Sequence, residues 1–423
     1  MLNFGTFVTG GPGVCCACVC LWLWLTHQKG GRRWGKKLSF CVAIERGGEN
    51  KIIDARHTHK KNTALPPEMQ SPHLRLYKHA LESIFAHLNL SELGRVLATC
   101  RDWSAAVCSM RPIGAIVIAK AETIQTMSKS YLEMHHVSEL RLDASERFPS
   151  VTPSFCGIIK QSKSLTTVNL SNRSIGDAGA IAIAEAVKQS KSLNILTILN
   201  LSFNRVGAVG ASAIADLIKQ NNLLVTVDLR YNRIGGVGAT AIAEAIKQST
   251  SLTALLLEGN HIGADSAVKI ADAIKQIKSL TTVNLSNNSI GDVGALAIAE
   301  TIKQSTSLAT VDVGNNKISA IGLVDLAEAI KQSTSLTDVG LRLNGIGDTG
   351  AATIAEAIQQ SKSLTAVNLY GNGIGDVGAA AISEAIKQSK SLTTVDLTHN
   401  HIGAVGVAAI IEAINQSTSL AAI

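Results

Sequence analysis

Three groups of residues have the types that could do chemistry. The first is Gly30-Gly-Arg-Arg-Trp-Gly35-Lys36-Lys37, which matches the G-x-x-x-x-G-K part of a phosphate-binding loop. Such a loop also needs a Ser or Thr hydroxyl after the lysine to hold magnesium, and a strand ahead of it. Lys37 supplies no hydroxyl and no clear strand precedes, so chance in a Gly- and Lys-rich stretch accounts for the match. The second group is histidine. His57, His59, His135 and His136 are scattered in polar surroundings, and His261, His399 and His401 fall at turns that recur along the chain. A lone histidine on a turn is more often solvated surface than a ligand or general base. The third is carboxylate: Glu185, Glu244 and Glu300 recur at one position, each with Lys three residues later. That spacing pairs charges on a solvated helix face. No catalytic residue, metal ligand or cofactor is assigned, and the chain is expected not to be an enzyme.

Composition agrees with a binding role more than a chemical one. Hydrophobic residues make up 46% of the 423 and aromatics only 4%, so the core must be Leu, Ile, Val and Ala. Cores of that kind arise where small identical units stack. The net charge is +7, yet ten Lys or Arg against three acids in residues 1–62 account for all of it. The rest of the chain holds 29 of each sign, which excludes a nucleic-acid surface by charge. All eight cysteines precede the recurring region. Without disulfide-stapled caps, a reducing cytoplasmic or nuclear setting is expected.

Residues 1–62 read as an apolar, then basic, leader that is expected to be disordered. Phe4 to Leu25 carry no charge, and Lys29, Arg32, Arg33, Lys36 and Lys37 follow. Twenty-two uncharged residues could span a bilayer. Gly5, Gly10, Gly11, Pro12 and Gly13 weaken any helix there, so membrane contact by the leader is not the favoured reading. Cys15, Cys16, Cys18 and Cys20 lack histidines to complete a zinc site, and beside a basic patch they could be palmitoylated.

The elements that would position any site come from a strict repeat. Starting from Leu165, Leu falls at 196, 224, 252, 280, 308, 336, 364, 392 and 420, every interval after the first being 28 residues. Each unit opens L-x-x-[VL]-x-L-x-x-N-x-I, as in Leu280-Thr-Thr-Val283-Asn-Leu285-Ser-Asn-Asn288-Ser-Ile290, and continues as Gly291 to Ser305. Such a period over nine units is a solenoid. Apolar–polar alternation in the first half predicts a strand, and Ala, Ile and Leu at three- and four-residue spacing predict an amphipathic helix in the second. Strands stack about 4.8 Å apart and helices roughly 8–10 Å, which puts the sheet on the concave side. Asp177, Asp292, Asp348 and Asp376 sit where helices start and are expected to cap them. Asn at 204, 232, 260, 288, 316, 344, 372 and 400 is expected to satisfy backbone groups left open as the chain quits each strand.

This pattern resembles the ribonuclease-inhibitor class of leucine-rich repeats. The resemblance implies an α/β horseshoe over 156–423 that binds a protein target on its concave face. Acidic, cysteine-rich ribonuclease inhibitors, NOD-like receptors with their nucleotide-binding domain, and Ran GTPase-activating proteins share the class. On the outward strand positions, mostly Thr, Asn, Asp and Ser, the departures are Phe203, Arg230, Tyr231, Glu258, Arg342, Tyr370 and His399. Aromatic and Arg side chains dominate many interfaces, so these seven are the expected partner-binding residues. An exposed Arg230 serving a nucleotide site in trans is the rival, GTPase-activating reading.

Residues 63–155 are expected to form a small all-α segment. Leu81, Ile84, Phe85, Leu88 and Leu93 fall at helical spacing ahead of Val96-Leu-Ala-Thr-Cys100-Arg-Asp-Trp103. This resembles an F-box, although Leu65-Pro66 stands eighteen residues before the Ile84-Phe85 pair, farther than an F-box places it. The resemblance implies docking of those five residues to a Skp-type adaptor of a cullin ubiquitin ligase. A helical cap shielding the first repeat is the alternative.

Overall fold

The computed structural model describes residues 19–25, 38–46, 49–54, 116–119, 139–142 and 148–422, apart from 191–194. The chain divides into two units, Met1–Tyr77 and Lys78–Ile423. In the first, strands Val19–Leu25, Leu38–Arg46 and Glu49–Asp54 pair antiparallel in sequence order. No helix among the described residues is long and apolar enough to cross a membrane.

The second unit is an open parallel sheet whose strands follow one another in chain order, backed by helices. The repeat strands are three residues long, and their central side chains, such as Val227, Leu255 and Val283, are buried. Register is held at the repeat offset: Thr282 pairs with Thr310 and Val283 with Val311. Between strands run helices such as Gly291–Gln304, which buries Gly294, Ala295, Ile298, Ala299, Thr301 and Ile302. The spacing of these six is one helix stripe, and it meets the strand Leu and Val side chains in a single continuous core.

The sheet starts earlier than the sequence reading places it. Strands Ile116–Ala119 and Glu139–Leu142 belong to the same parallel sheet, so the segment before residue 156 is not all-α. Glu139 pairs with Thr167, the 28-residue offset of the later repeats. Helix Phe148–Gln161 runs across residue 156 and puts Phe155, Ile158 and Ile159 into the repeat core. Its Cys156 is buried, and that burial pushes the thiol up to about 11 against the pull of Lys160.

The asparagine register does what the sequence implies. Asn288 Nδ2 donates to the carbonyls of Leu257, Leu285 and Ser286 at 3.1, 2.8 and 3.0 Å. Its Oδ1 accepts from the backbone N–H of Asn260 and Ile262, both at 2.9 Å, in the preceding repeat. Each such amide therefore welds one turn to the turn before it. Asn260 departs: Nδ2 makes the same three donations, while its buried Oδ1 has no partner.

The aspartates cap helices, but not their own. Asp177 Oδ1 accepts from Gly207 N at 2.6 Å and Gly210 N at 3.0 Å, which start the helix of the following repeat. Asp348 serves Gly375 and Gly378 in the same way, and Asp376 serves Gly403 and Gly406. Asp292 reaches Ser319 through both its N–H and its hydroxyl, each at 2.7 Å. The expected local cap fails because these residues lie inside the first turn of their own helices, past the position from which a side chain can turn back.

Helix-to-helix approach depends on a glycine in the first turn of most repeat helices. A Cβ on Gly378 would lie 2.7 Å from Asp348 Oδ1 and 2.8 Å from Ala351 Cβ. The repeat that carries Ser266 at this register faces Gly236, where its neighbours have Asp or Ala, and Ser266 Oγ bonds the Gly236 carbonyl at 3.1 Å. We expect Gly378→Ala to destabilise the array by about 1–3 kcal/mol through overpacking, read as a lower denaturation midpoint. A midpoint at or above that of the parent would show that the helices can separate at no cost.

Candidate functional site

All seven expected partner-binding residues lie two or three positions beyond a strand, in the turn that leads to the helix, and not on the strands themselves. Alternation along the sequence runs on past the point where the backbone bends. At Phe203, Tyr231 and His399 the backbone is left-handed, with φ of 60°, 53° and 57°. These turns still hydrogen-bond from repeat to repeat, as Phe203 N to Arg230 O and Tyr231 N to Glu258 O do, so equivalent side chains form a row.

Five residues of that row and its neighbours interlock. The Phe203 and Tyr231 rings stack with centroids 4.4 Å apart and planes 17° from parallel. Beneath Tyr231 is Gly259, where φ is +65° and a Cβ would come within 2.8 Å of the ring. Phe203 and Tyr231 carry side chains on the same left-handed backbone, so it is the close approach of the Tyr231 ring that favours glycine at 259. The Tyr231 hydroxyl donates to Glu258 Oε1 at 2.6 Å, and Asn287 Nδ2 donates to the same oxygen at 2.6 Å. Arg342 reaches across three repeats to Glu258 Oε1 at 2.8 Å. Arg230 folds back on Asp228, Nε to Oδ1 at 3.0 Å and Nη2 to Oδ2 at 2.8 Å. Tyr370 and His399 form a separate pair, centroids 4.6 Å apart and tilted by 47°. The sequence reading missed Asn287, which occupies the register of Tyr231, and Leu343, exposed at the same register with φ of 56°. Shared position in the repeat was the signal for both.

The charges are set by these contacts. Burial pushes the Glu258 carboxyl up, but the Tyr231 and Asn287 hydrogen bonds and the Arg342 and Arg230 charges outweigh it and hold it below the usual range. The same Glu258 bond, then burial, raises the Tyr231 hydroxyl. Asp312 is raised by burial, only partly offset by the Gly314 N–H and Arg342. Asp338 is raised by burial and by the neighbouring Asp312 charge. For Asp312 the sign is that of an acid whose folded pKa exceeds its unfolded value: ionisation costs stability at neutral pH, and the cost disappears as pH falls through the raised pKa. Asp312→Asn is therefore expected to raise the melting temperature at pH 7, with the gain vanishing as pH is lowered past the unfolded value. A gain that persists below pH 3 would assign it to some other cause.

Among the described residues no group of His, Cys, Asp and Glu could hold a metal ion. The adaptor candidates Leu81, Ile84, Phe85, Leu88 and Leu93 lie outside the described residues.

The candidate site is thus a polar and aromatic ridge with Phe203 and Tyr231 exposed along it. The leucine-rich repeat family model matches residues 161–184, 192–215, 220–243, 248–271, 276–299, 332–355, 360–383 and 388–410. The chain carries an array of leucine-rich repeats. The unit around Gly314 and Ser319 falls between two matches, and it keeps the strand and helix of the others. No curated protein matches the chain by sequence. Among solved structures, the yeast Rad7–Elc1 complex is similar over 82% of this chain and 85% of that one, at 12% identity and a TM-score of 0.51. That level of likeness bears on the fold of the repeats alone. Leiomodin-1 actin-binding site 2 covers 41% of this chain and 86% of its own at 15% identity, TM-score 0.29. The tropomodulin C-terminal domain from Caenorhabditis elegans covers 42% and 92% at 15% identity, TM-score 0.28.

Proposed function

We propose that the repeats hold a protein target on the ridge Phe203–Tyr231–Glu258–Asn287–Arg342, and that residues 78–110 recruit a Skp-type adaptor, making the chain a substrate receptor of a cullin ubiquitin ligase. One observation carries the first half. The five side chains, drawn from repeats as far apart in sequence as 203 and 342, are locked to one another yet leave rings and guanidinium at the surface. Such a surface is ordered before it binds, so little side-chain entropy is lost on association. Leucine-rich repeats are protein-binding scaffolds, and Rad7, whose fold is similar, occurs in complex with Elc1. The second half rests on the F-box resemblance of Leu81, Ile84, Phe85, Leu88 and Leu93.

The chain has no catalytic role in this reading. A GTPase-activating arginine must be free to enter a nucleotide site, and Arg230 spends two of its nitrogens on Asp228. The adaptor arm is tested by pull-down with a purified Skp-type adaptor. Capture is expected from the parent chain and is expected to fall at least tenfold with Phe85→Ala while the melting temperature holds. No capture by the parent would leave the array as a binding scaffold without a ligase link.

A further inference from the structure

A second surface lies on the edge of the array where each turn enters its helix. At the second or third residue of six repeat helices, at one register of the repeat, stand Val209, Val237, Val293, Ile321, Val377 and Val405, between 59% and 79% exposed. The fold does not need them. The same position is Asp265 in one repeat and Thr349 in another, and a β-branched residue lowers helix propensity without any burial in return. Four residues ahead of this row lies a second one, also exposed: Arg205, Arg233, His261 and Lys317. Cations on the outer helix faces, such as Lys188, Lys247, Lys303 and Lys331, are each paired with a Glu three residues before. By contrast, Arg205, Arg233 and Lys317 make no ion pair among the described residues.

We infer that this edge docks an acidic segment of a partner protein that also carries apolar side chains, its carboxylates meeting Arg205, Arg233 and Lys317 and its apolar residues covering Val209, Val237, Val293 and Ile321. Repeat spacing sets both rows in parallel, so an extended or helical segment laid along the edge meets the two kinds of contact at once. Asp265 interrupts the apolar row, so the carboxylates of the segment are expected along the cationic row at Arg205, Arg233 and Lys317 and not over that repeat. The seven ridge residues take no part, so this surface stands or falls apart from the proposed target site.

The test is selection from a random peptide library on the full chain, with counter-selection on the variant Arg205→Glu/Arg233→Glu/Val209→Ser/Val237→Ser. Enriched peptides are expected to combine Asp or Glu with Leu, Ile, Val or Phe. Their binding should weaken about tenfold or more in the variant, and with added salt, while Arg230→Ala/Tyr231→Ala leaves it unchanged. All four substituted residues are exposed, and an unchanged melting temperature verifies that the variant is folded. Enrichment of basic peptides, or no enrichment that depends on these residues, overturns the inference. So does loss in the variant of binding to phosphatidylserine vesicles, or of self-association by sedimentation, in place of peptide binding.

Discussion

Replacing Asn288 with Ala should destabilise the array by about 3–5 kcal/mol, whereas the same change at Asn260 should cost about 2 kcal/mol less. Both side chains are buried and both donate to three carbonyls. Only Asn288 also accepts, from the N–H groups of Asn260 and Ile262. A buried N–H stripped of its partner costs about 1–3 kcal/mol, and the change at Asn288 strips two. Because repeats are stabilised through neighbour interfaces, the loss should concentrate between the two units it joins. Chemical denaturation gives the size of the effect, and hydrogen exchange at the Asn260 and Ile262 amides gives its place. Equal costs at the two positions would mean that the amide acceptors matter little.

The double variant Arg230→Ala/Tyr231→Ala should lower target affinity by about 2–3 kcal/mol, roughly 30- to 150-fold, while costing about 2 kcal/mol of stability and leaving the array folded. Tyr231 is 41% exposed and gives up one ring stack and two hydrogen bonds, one to Glu258 and one from Asn287, while Arg230 leaves the buried Asp228 without its guanidinium partner. Binding falls because two anchors go at once. Phe203 loses the ring that fixes it, and Glu258 loses one of the two 2.6 Å bonds that position it against Arg342. Calorimetry with the captured target measures the affinity, and thermal melting measures the rest. A target held as tightly by the variant would place the binding surface away from the ridge.

Much of the fold was legible because it is local and repeated. Leu at 28-residue intervals, alternation into the strand and helical spacing after it are all visible within one unit. The asparagine register was legible for the same reason. The aspartate caps were not, since Asp177 reaches Gly207 and Gly210, groups some thirty residues away that no local pattern ties to it. The early start of the sheet was hidden too: Leu140 and Leu142 alternate as the later strands do, but no Asn follows at the usual distance. For the site, residue types and repeat position brought Phe203, Tyr231, Glu258 and Arg342 to notice. Their contacts could not be read, because the Arg342–Glu258 pair spans 84 residues and depends on how far an arginine stem reaches over the glycine at 314. The placement on strands was an error of extent, since three residues of strand suffice before Leu201, Leu229 and Leu257 carry the chain into the turn.

The claim that the ridge holds a protein is tested most directly by photo-cross-linking from within it. A benzophenone amino acid at Tyr231 in the full chain, irradiated in cells, should give a cross-linked adduct with a discrete target protein. The same group at Glu244, exposed on the outer helix face, should give none with that protein. Adducts of equal yield from the two positions, or from Glu244 alone, would contradict a target site on the ridge.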